Sequence, residues 1–182
     1  QIAALTTEQA AALSTSQIAA FGTSQIVALE TDDVRALSTA ALAALTTAQL
    51  DALQNVQLGA LTTSQIAALS TSQFNSLGAD DLNALSSAQF SAVTTAQLAT
   101  LTTDEFASLS TSHIAALTTA QALSLSTADI AALTTDQILV FSTTDLAAMS
   151  MTQIAALSSD QVAAMSNAQL NALIAASPIV LD

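Results

Sequence analysis

Large apolar residues return at every eighth position along this chain. The series runs through Leu5, Leu13, Phe21, Leu29 and Leu37, continues past Leu61, Val93, Leu101, Phe141, Met149 and Met165 to Leu173 and Leu181, and never gains or loses a residue. A fixed short period means one small structural unit stacked many times. With the leucine as slot zero, the octad reads Leu-Ser/Thr-Thr-x-Gln-Ile/Leu-Ala-Ala, as at Leu61-Thr62-Thr63-Ser64-Gln65-Ile66-Ala67-Ala68. A second large apolar residue therefore occupies slot five. Slot seven is nearly always small, and slot six accepts Arg35, Asp51, Asn75 and Asn83. Slots zero and five are the predicted core, slot six faces water, and slot seven is a point of close backbone approach between coils.

The polar positions predict one short helix per octad. Slot one is Ser or Thr in most copies, with Gly22 and Gly78 among the exceptions, and slot four is Gln or an acid such as Asp33, Asp81, Glu105, Asp129 or Asp145. Ser/Thr-x-x-Gln/Glu is the capping-box pattern at a helix start, and glycine is also accepted at the N-cap. The aspartates are shorter and suit that box less well. In this register slots zero and five are N′ and N4, the two partners of a hydrophobic staple, as in Leu69 with Phe74. Slot three, at N2, carries Glu8, Asp32, Asp80, Asp104, Asp136 and Asp160, which suit the positive end of a helix dipole.

One uninterrupted helix is excluded by geometry. Eight residues at about 100° overshoot two turns by about 80°, so the leucines would spiral instead of forming a stripe. Paired hydroxyl residues in each octad also favour caps over helix interiors. The alternative is a β-solenoid, against which stand the Ala-Ala pairs before the leucines and a total of 3 glycines. The expected fold is all-α: a solenoid of very short helices, one per octad, coiled into an elongated superhelical rod over residues 1–173. At the far end Ile174 replaces the hydroxyl cap and Pro178 falls in slot five, so the array should stop near Leu173. Residues 174–182 are then a degenerate end, either a cap or the start of a following segment.

Charge narrows the partners. The net charge is −13, and Arg35 is the sole Lys or Arg. Phosphate backbones and anionic membranes call for basic patches, so nucleic acid and acidic lipid are poor partners. No run of eighteen apolar residues occurs, so no membrane insertion is expected. Cysteine is absent, which removes disulfides and thiolate metal sites.

Candidate chemistry is sparse. His113 is the single histidine and stands where other octads carry Gln, so it reads as a variant copy of the cap. Without a second histidine or a cysteine, neither a nucleophilic triad nor a zinc site assembles from it. The pairs Asp32-Asp33, Asp80-Asp81 and Asp104-Glu105 raise calcium as a ligand. Calcium loops space their acids around glycine, however, and these pairs read as N2 and N3 dipole partners on a solvated face. The Ser/Thr doublets form a hydroxyl ladder that would suit ice or glycan, although capping already employs one hydroxyl per octad. The expectation is no catalytic, cofactor or metal residue.

The run Leu61-Thr62-Thr63-Ser64-Gln65-Ile66-Ala67-Ala68-Leu69-Ser70-Thr71-Ser72-Gln73 resembles octad arrays of very long, acidic bacterial surface or secreted proteins, labelled RTX-type or haemagglutinin/haem-utilisation adhesins. The resemblance extends to Leu173 and implies an extracellular stalk, spacer or filament segment. Its implied partners are the neighbouring domains of a longer chain, together with self-association along or between rods. The rival expectation is a binding module for glycan, ice or calcium.

Overall fold

The computed structural model describes residues 5–176. Among them every regular element is a helix and no strand forms. The chain divides into two compact units, 1–100 and 101–182. In the first unit the helices are α1 Thr7–Ala11, α2 Thr15–Ala19, α3 Thr23–Val27, α4 Thr31–Ala36, α5 Thr39–Ala43, α6 Thr47–Asp51, α7 Asn55–Ala60, α8 Thr63–Ala68, α9 Thr71–Phe74, α10 Ala79–Ala84, α11 Ser87–Ser91 and α12 Thr95–Leu98. In the second they are α13 Thr103–Ser108, α14 Thr111–Ala115, α15 Thr119–Ser124, α16 Thr127–Ala132, α17 Thr135–Leu139, α18 Thr143–Ala148, α19 Met151–Ala155, α20 Ser159–Ala164 and α21 Asn167–Ala176. The fold is the all-α solenoid of one-octad helices that the pattern predicts.

Each helix starts where the capping register places it. Thr62 is extended at φ −76°, ψ 159°, its hydroxyl accepts from the Gln65 amide, and the Gln65 side chain accepts from the Thr62 amide. The same reciprocal box closes at Ser14, Thr46, Ser86, Thr134 and Ser158. At Gly22 only half of it exists: the Gly22 amide donates to Gln25 Oε1 at 2.8 Å. The aspartates divide. Asp129 closes a full box with Ser126, whereas Asp33 and Asp81 follow N-caps that make no side-chain bond.

Each helix ends when the next leucine turns extended. The slot-zero amide still donates to the slot-five carbonyl, as Leu69 does to Ile66 at 3.2 Å, while Leu69 itself lies at φ −61°, ψ 137°. The bend is thus made of two extended residues, slots zero and one. No described residue has positive φ. That is why so tightly wound a chain needs almost no glycine.

Helices three apart in the chain pack together: α1 on α4, α2 on α5, α4 on α7 and α5 on α8 in the first unit, α13 on α16, α14 on α17 and α18 on α21 in the second. The core is the pair of apolar slots. Ile66, Phe74, Phe90, Phe106 and Ile138 at slot five are fully buried, and Leu37, Leu69, Leu109 and Leu133 at slot zero nearly so. Slot six is exposed at Ala19, Arg35, Ala43 and Asn83 as expected. Slot seven is mostly half-buried and forms many C-caps, for example Ala20, Ala52 and Ala116. At Ile174 no hydroxyl stops the helix, and α21 runs ten residues to Ala176. The rest of the expected degenerate end, residues 177–182 with Pro178, whether a cap or the start of a following segment, lies outside the described residues.

Candidate functional site: the glutamine ladder

The octad geometry leaves one backbone group in difficulty. The slot-zero carbonyl sits between two helices, in an extended residue that is almost wholly buried, and no backbone amide reaches it. A buried carbonyl without a donor costs about 1–3 kcal/mol. The chain answers with the slot-four glutamine of a later coil. Gln65 Nε2 donates to the Leu37 carbonyl at 2.8 Å, to the Val34 carbonyl at 2.9 Å and to the Arg35 carbonyl at 3.3 Å. Its Oε1 meanwhile accepts from the Thr62 amide at 2.7 Å. One side chain closes its own helix start and the end of a helix four octads back.

The arrangement repeats in both units. Gln49, Gln57, Gln73, Gln89 and Gln97 donate to Phe21, Leu29, Leu45, Leu61 and Leu69 in the first, at 2.6, 2.8, 2.7, 2.7 and 2.8 Å. Gln137, Gln153, Gln161 and Gln169 donate to Leu109, Leu125, Leu133 and Phe141 in the second, at 2.8, 3.0, 2.7 and 3.0 Å. The donor always lies 28 residues after the acceptor, so a superhelical turn within each unit holds about three and a half octads. These glutamines are buried, and the expectation that slots zero and five alone form the core is corrected here. Where it carries one of these glutamines, slot four is a third internal position, polar and hydrogen-bonded through both oxygen and nitrogen. Glutamate fills the capping box equally well, but only the amide of glutamine adds a donor, and that is the physical reason for Gln at this slot.

The acids at slot four show what is lost without that amide. Asp145 is buried, and its carboxylate accepts instead from Ser142 Oγ and from Thr119 Oγ1, the latter at 2.7 Å across 26 residues. Asp33 is also buried, and its Oδ2 has no partner among the described residues. The reading of the acid pairs as a solvated face is therefore corrected at Asp33, because a coil packs over its helix. Asp81 is half-buried. Desolvation, with smaller contributions from the like charges of Asp51 and Asp80, pushes its carboxyl above the ordinary range against the Gly78 amide. Exposed Glu8, at N2, is lowered, chiefly by a backbone hydrogen bond and then by the Thr6 hydroxyl. Among the described residues no three His, Cys, Asp or Glu converge to hold a metal ion.

His113 occupies the glutamine slot and is buried there. Its Nδ1 lies 2.9 Å from Ser110 Oγ, which also accepts from the His113 amide, so the hydroxyl half of the cap is kept. Arg35 Nε donates to the Ala60 carbonyl at 3.3 Å, at the end of α7. An open groove of about 400 Å³ is lined by Asn55, Val56, Asp80, Asn83 and Ala84. No described helix is long and apolar enough to cross a membrane.

Short capped helices joined coil to coil by buried side-chain amides define a helical solenoid repeat protein. The chain belongs to the ALTTAQ repeat family, whose model matches residues 26–63, 50–86, 76–111 and 138–174, well over half of its length. Those six letters stand in the chain at Ala44–Gln49 and again at Ala116–Gln121. No match is found among curated proteins or among solved structures. The glutamine that ends the motif is thus the residue that ties the coils. Its recurrence was plain in the sequence, but its reach was not, because the capping box explained it completely.

Proposed function

We propose that this chain is a non-catalytic structural repeat region, an extracellular stalk, spacer or filament segment of a large bacterial adhesin-like protein. The observation that carries the reading is the ladder itself. In the interior coils the glutamine amides at slot four are committed to internal hydrogen bonds, as are the capping hydroxyls at slot one, and the same bond recurs at a fixed interval instead of converging on one place. Repetition of that kind extends a chain, since each coil needs only its neighbours. The high negative charge supports a surface role in which rods repel polyanions and one another at distance. The resemblance to surface proteins supports the extracellular setting, with neighbouring domains of a longer chain as partners.

The test is titration calorimetry of the chain with calcium chloride and with a panel of soluble glycans. A spacer shows no saturable, stoichiometric heat with any of them. Saturation with one of these ligands would replace the spacer reading by the binding-module reading, with the slot-two threonines or the acidic face as its surface.

A further inference from the structure

In a repeat array, a place built for contact shows as departures from the octad that come together in space. Four described helices start without a side-chain cap, at Gly22, Glu30, Gln54 and Gly78. The last three begin α4, α7 and α10, which pack in a column with α7 in the middle. Three stacked octads thus lack a stabilising cap that most others keep, and such local rules are broken where a surface has another use. The exposed side chains of the column differ as well. Slot three of α7 is Val56, which at 66% is more exposed than any other large apolar side chain described. It lines one groove with Asn55 and with Asp80 and Asn83 of α10. Slot six of α4 is Arg35, the sole Lys or Arg of the chain. Its Nε is held on the Ala60 carbonyl of α7, and its other N–H groups have no protein acceptor among the described residues. On α10, Asp80 is exposed among like charges: after desolvation, Asp51 and Asp80 are what push the Asp81 carboxyl upward. The column therefore carries a cation on one outer helix, an apolar side chain in the middle and unpaired negative charge on the other outer helix.

We infer that the column α4–α7–α10 docks antiparallel on the same column of a second copy of this chain, with Val56 against Val56 at the two-fold axis and each Arg35 guanidinium on Asp80 of the other copy. Charge selects this occupant and this orientation. A parallel placement would set Arg35 on Arg35 and Asp80 on Asp80, whereas the antiparallel one makes two opposite-charge pairs around an apolar centre. Arg35 is already held at Nε, so its outer N–H groups are oriented before contact and suit a carboxylate. The contact is isologous and closes at a dimer. Each copy carries a net charge of −13, but at physiological salt that repulsion is screened beyond about 8 Å, and the pairs act at contact. A face three short helices wide is small, so the association is weak. The inference rests on the structural-repeat reading and adds to it a lateral tie between two rods.

The experiment is sedimentation velocity of the 182-residue chain at physiological salt, from micromolar to millimolar concentration. Wild type should pass from monomer to dimer and no further. Arg35→Asp and Asp80→Arg change exposed positions, should retain the helical circular dichroism, and should each remain monomeric because both pairs become like-charged. An equimolar mixture of the two variants has opposite charges at both pairs and should form a heterodimer. Val56→Lys, which sets two cations at the axis, should be monomeric while leaving the charged pairs intact. A wild type that stays monomeric throughout overturns the inference. So does a dimer that survives a charge reversal or Val56→Lys, and so does a mixture that stays monomeric while wild type dimerises. A monomeric wild type that binds no calcium or glycan leaves the spacer reading standing. Saturable ligand binding defeats that reading whether or not copies associate.

Discussion

Gln17 and Gln65 occupy the same slot of the same octad and close the same capping box, yet one is exposed and the other is 2% exposed. The difference lies wholly in what is packed beneath them. Gln65 overlies the end of α4 and donates to three carbonyls there, whereas Gln17 belongs to the first coil and caps only its own helix. The leucines follow suit: Leu13 is half-exposed and Leu69 is buried. Helix capping in this protein is local and identical everywhere. Cohesion is tertiary and begins only when a second turn of the coil is laid down.

Substitution of glutamine by glutamate should separate the two regions most sharply. Gln65→Glu keeps the cap but leaves buried carbonyls facing a carboxylate, and it should cost about 3–5 kcal/mol at neutral pH in equilibrium unfolding. Gln17→Glu should be within about 0.5 kcal/mol of wild type, since a carboxylate at an exposed N3 suits both the box and the dipole. Equal costs at both positions would mean that the cross-coil bond contributes nothing.

Truncating leucines should divide the regions by burial. Leu69→Ala should lose about 2–5 kcal/mol as a buried cavity mutant. Leu13→Ala should lose distinctly less, because part of its surface is already wet. Comparable losses in chemical denaturation would show that the first coil is covered in solution. Removing a cap, in contrast, should not distinguish the regions. Thr62→Ala and Ser14→Ala should each cost about 0.5–2 kcal/mol. A cost confined to Thr62 would make capping depend on coil contact and would break the separation of local from tertiary effects.

The smallest expected effect concerns Asp81, where an acid replaces the amide in an interior coil. Its folded carboxyl titrates above the unfolded value, so the folded state binds its proton more tightly. The destabilisation is absent below the ordinary aspartate range, grows as pH rises through the folded value, and is constant above it. Melting of wild type against Asp81→Asn across mildly acidic pH should show this as a loss of stability in wild type that the variant lacks.

Much of this was legible in the residues. The period, the helix starts at Thr62 and Ser14, the apolar slots and the exposed slot six all follow from local chemistry. A capping box involves residues three apart and leaves its full signature in the sequence. The donation from Gln65 to Leu37 spans 28 residues and could be found only by asking why slot four prefers Gln to Glu. The burial of Asp33 and Asp145 was hidden for the same reason, since their neighbours come from another coil. His113 reads as a variant cap in sequence and in structure alike.

The central claim is that the interior glutamine amides donate across coils, and hydrogen exchange of side-chain NH₂ groups by NMR tests it most directly. Gln65, Gln97 and Gln137 should exchange far more slowly than Gln9, Gln17 and Gln25, at a protection approaching that of core backbone amides. Uniform fast exchange of all six at a concentration where the chain is monomeric would contradict the ladder.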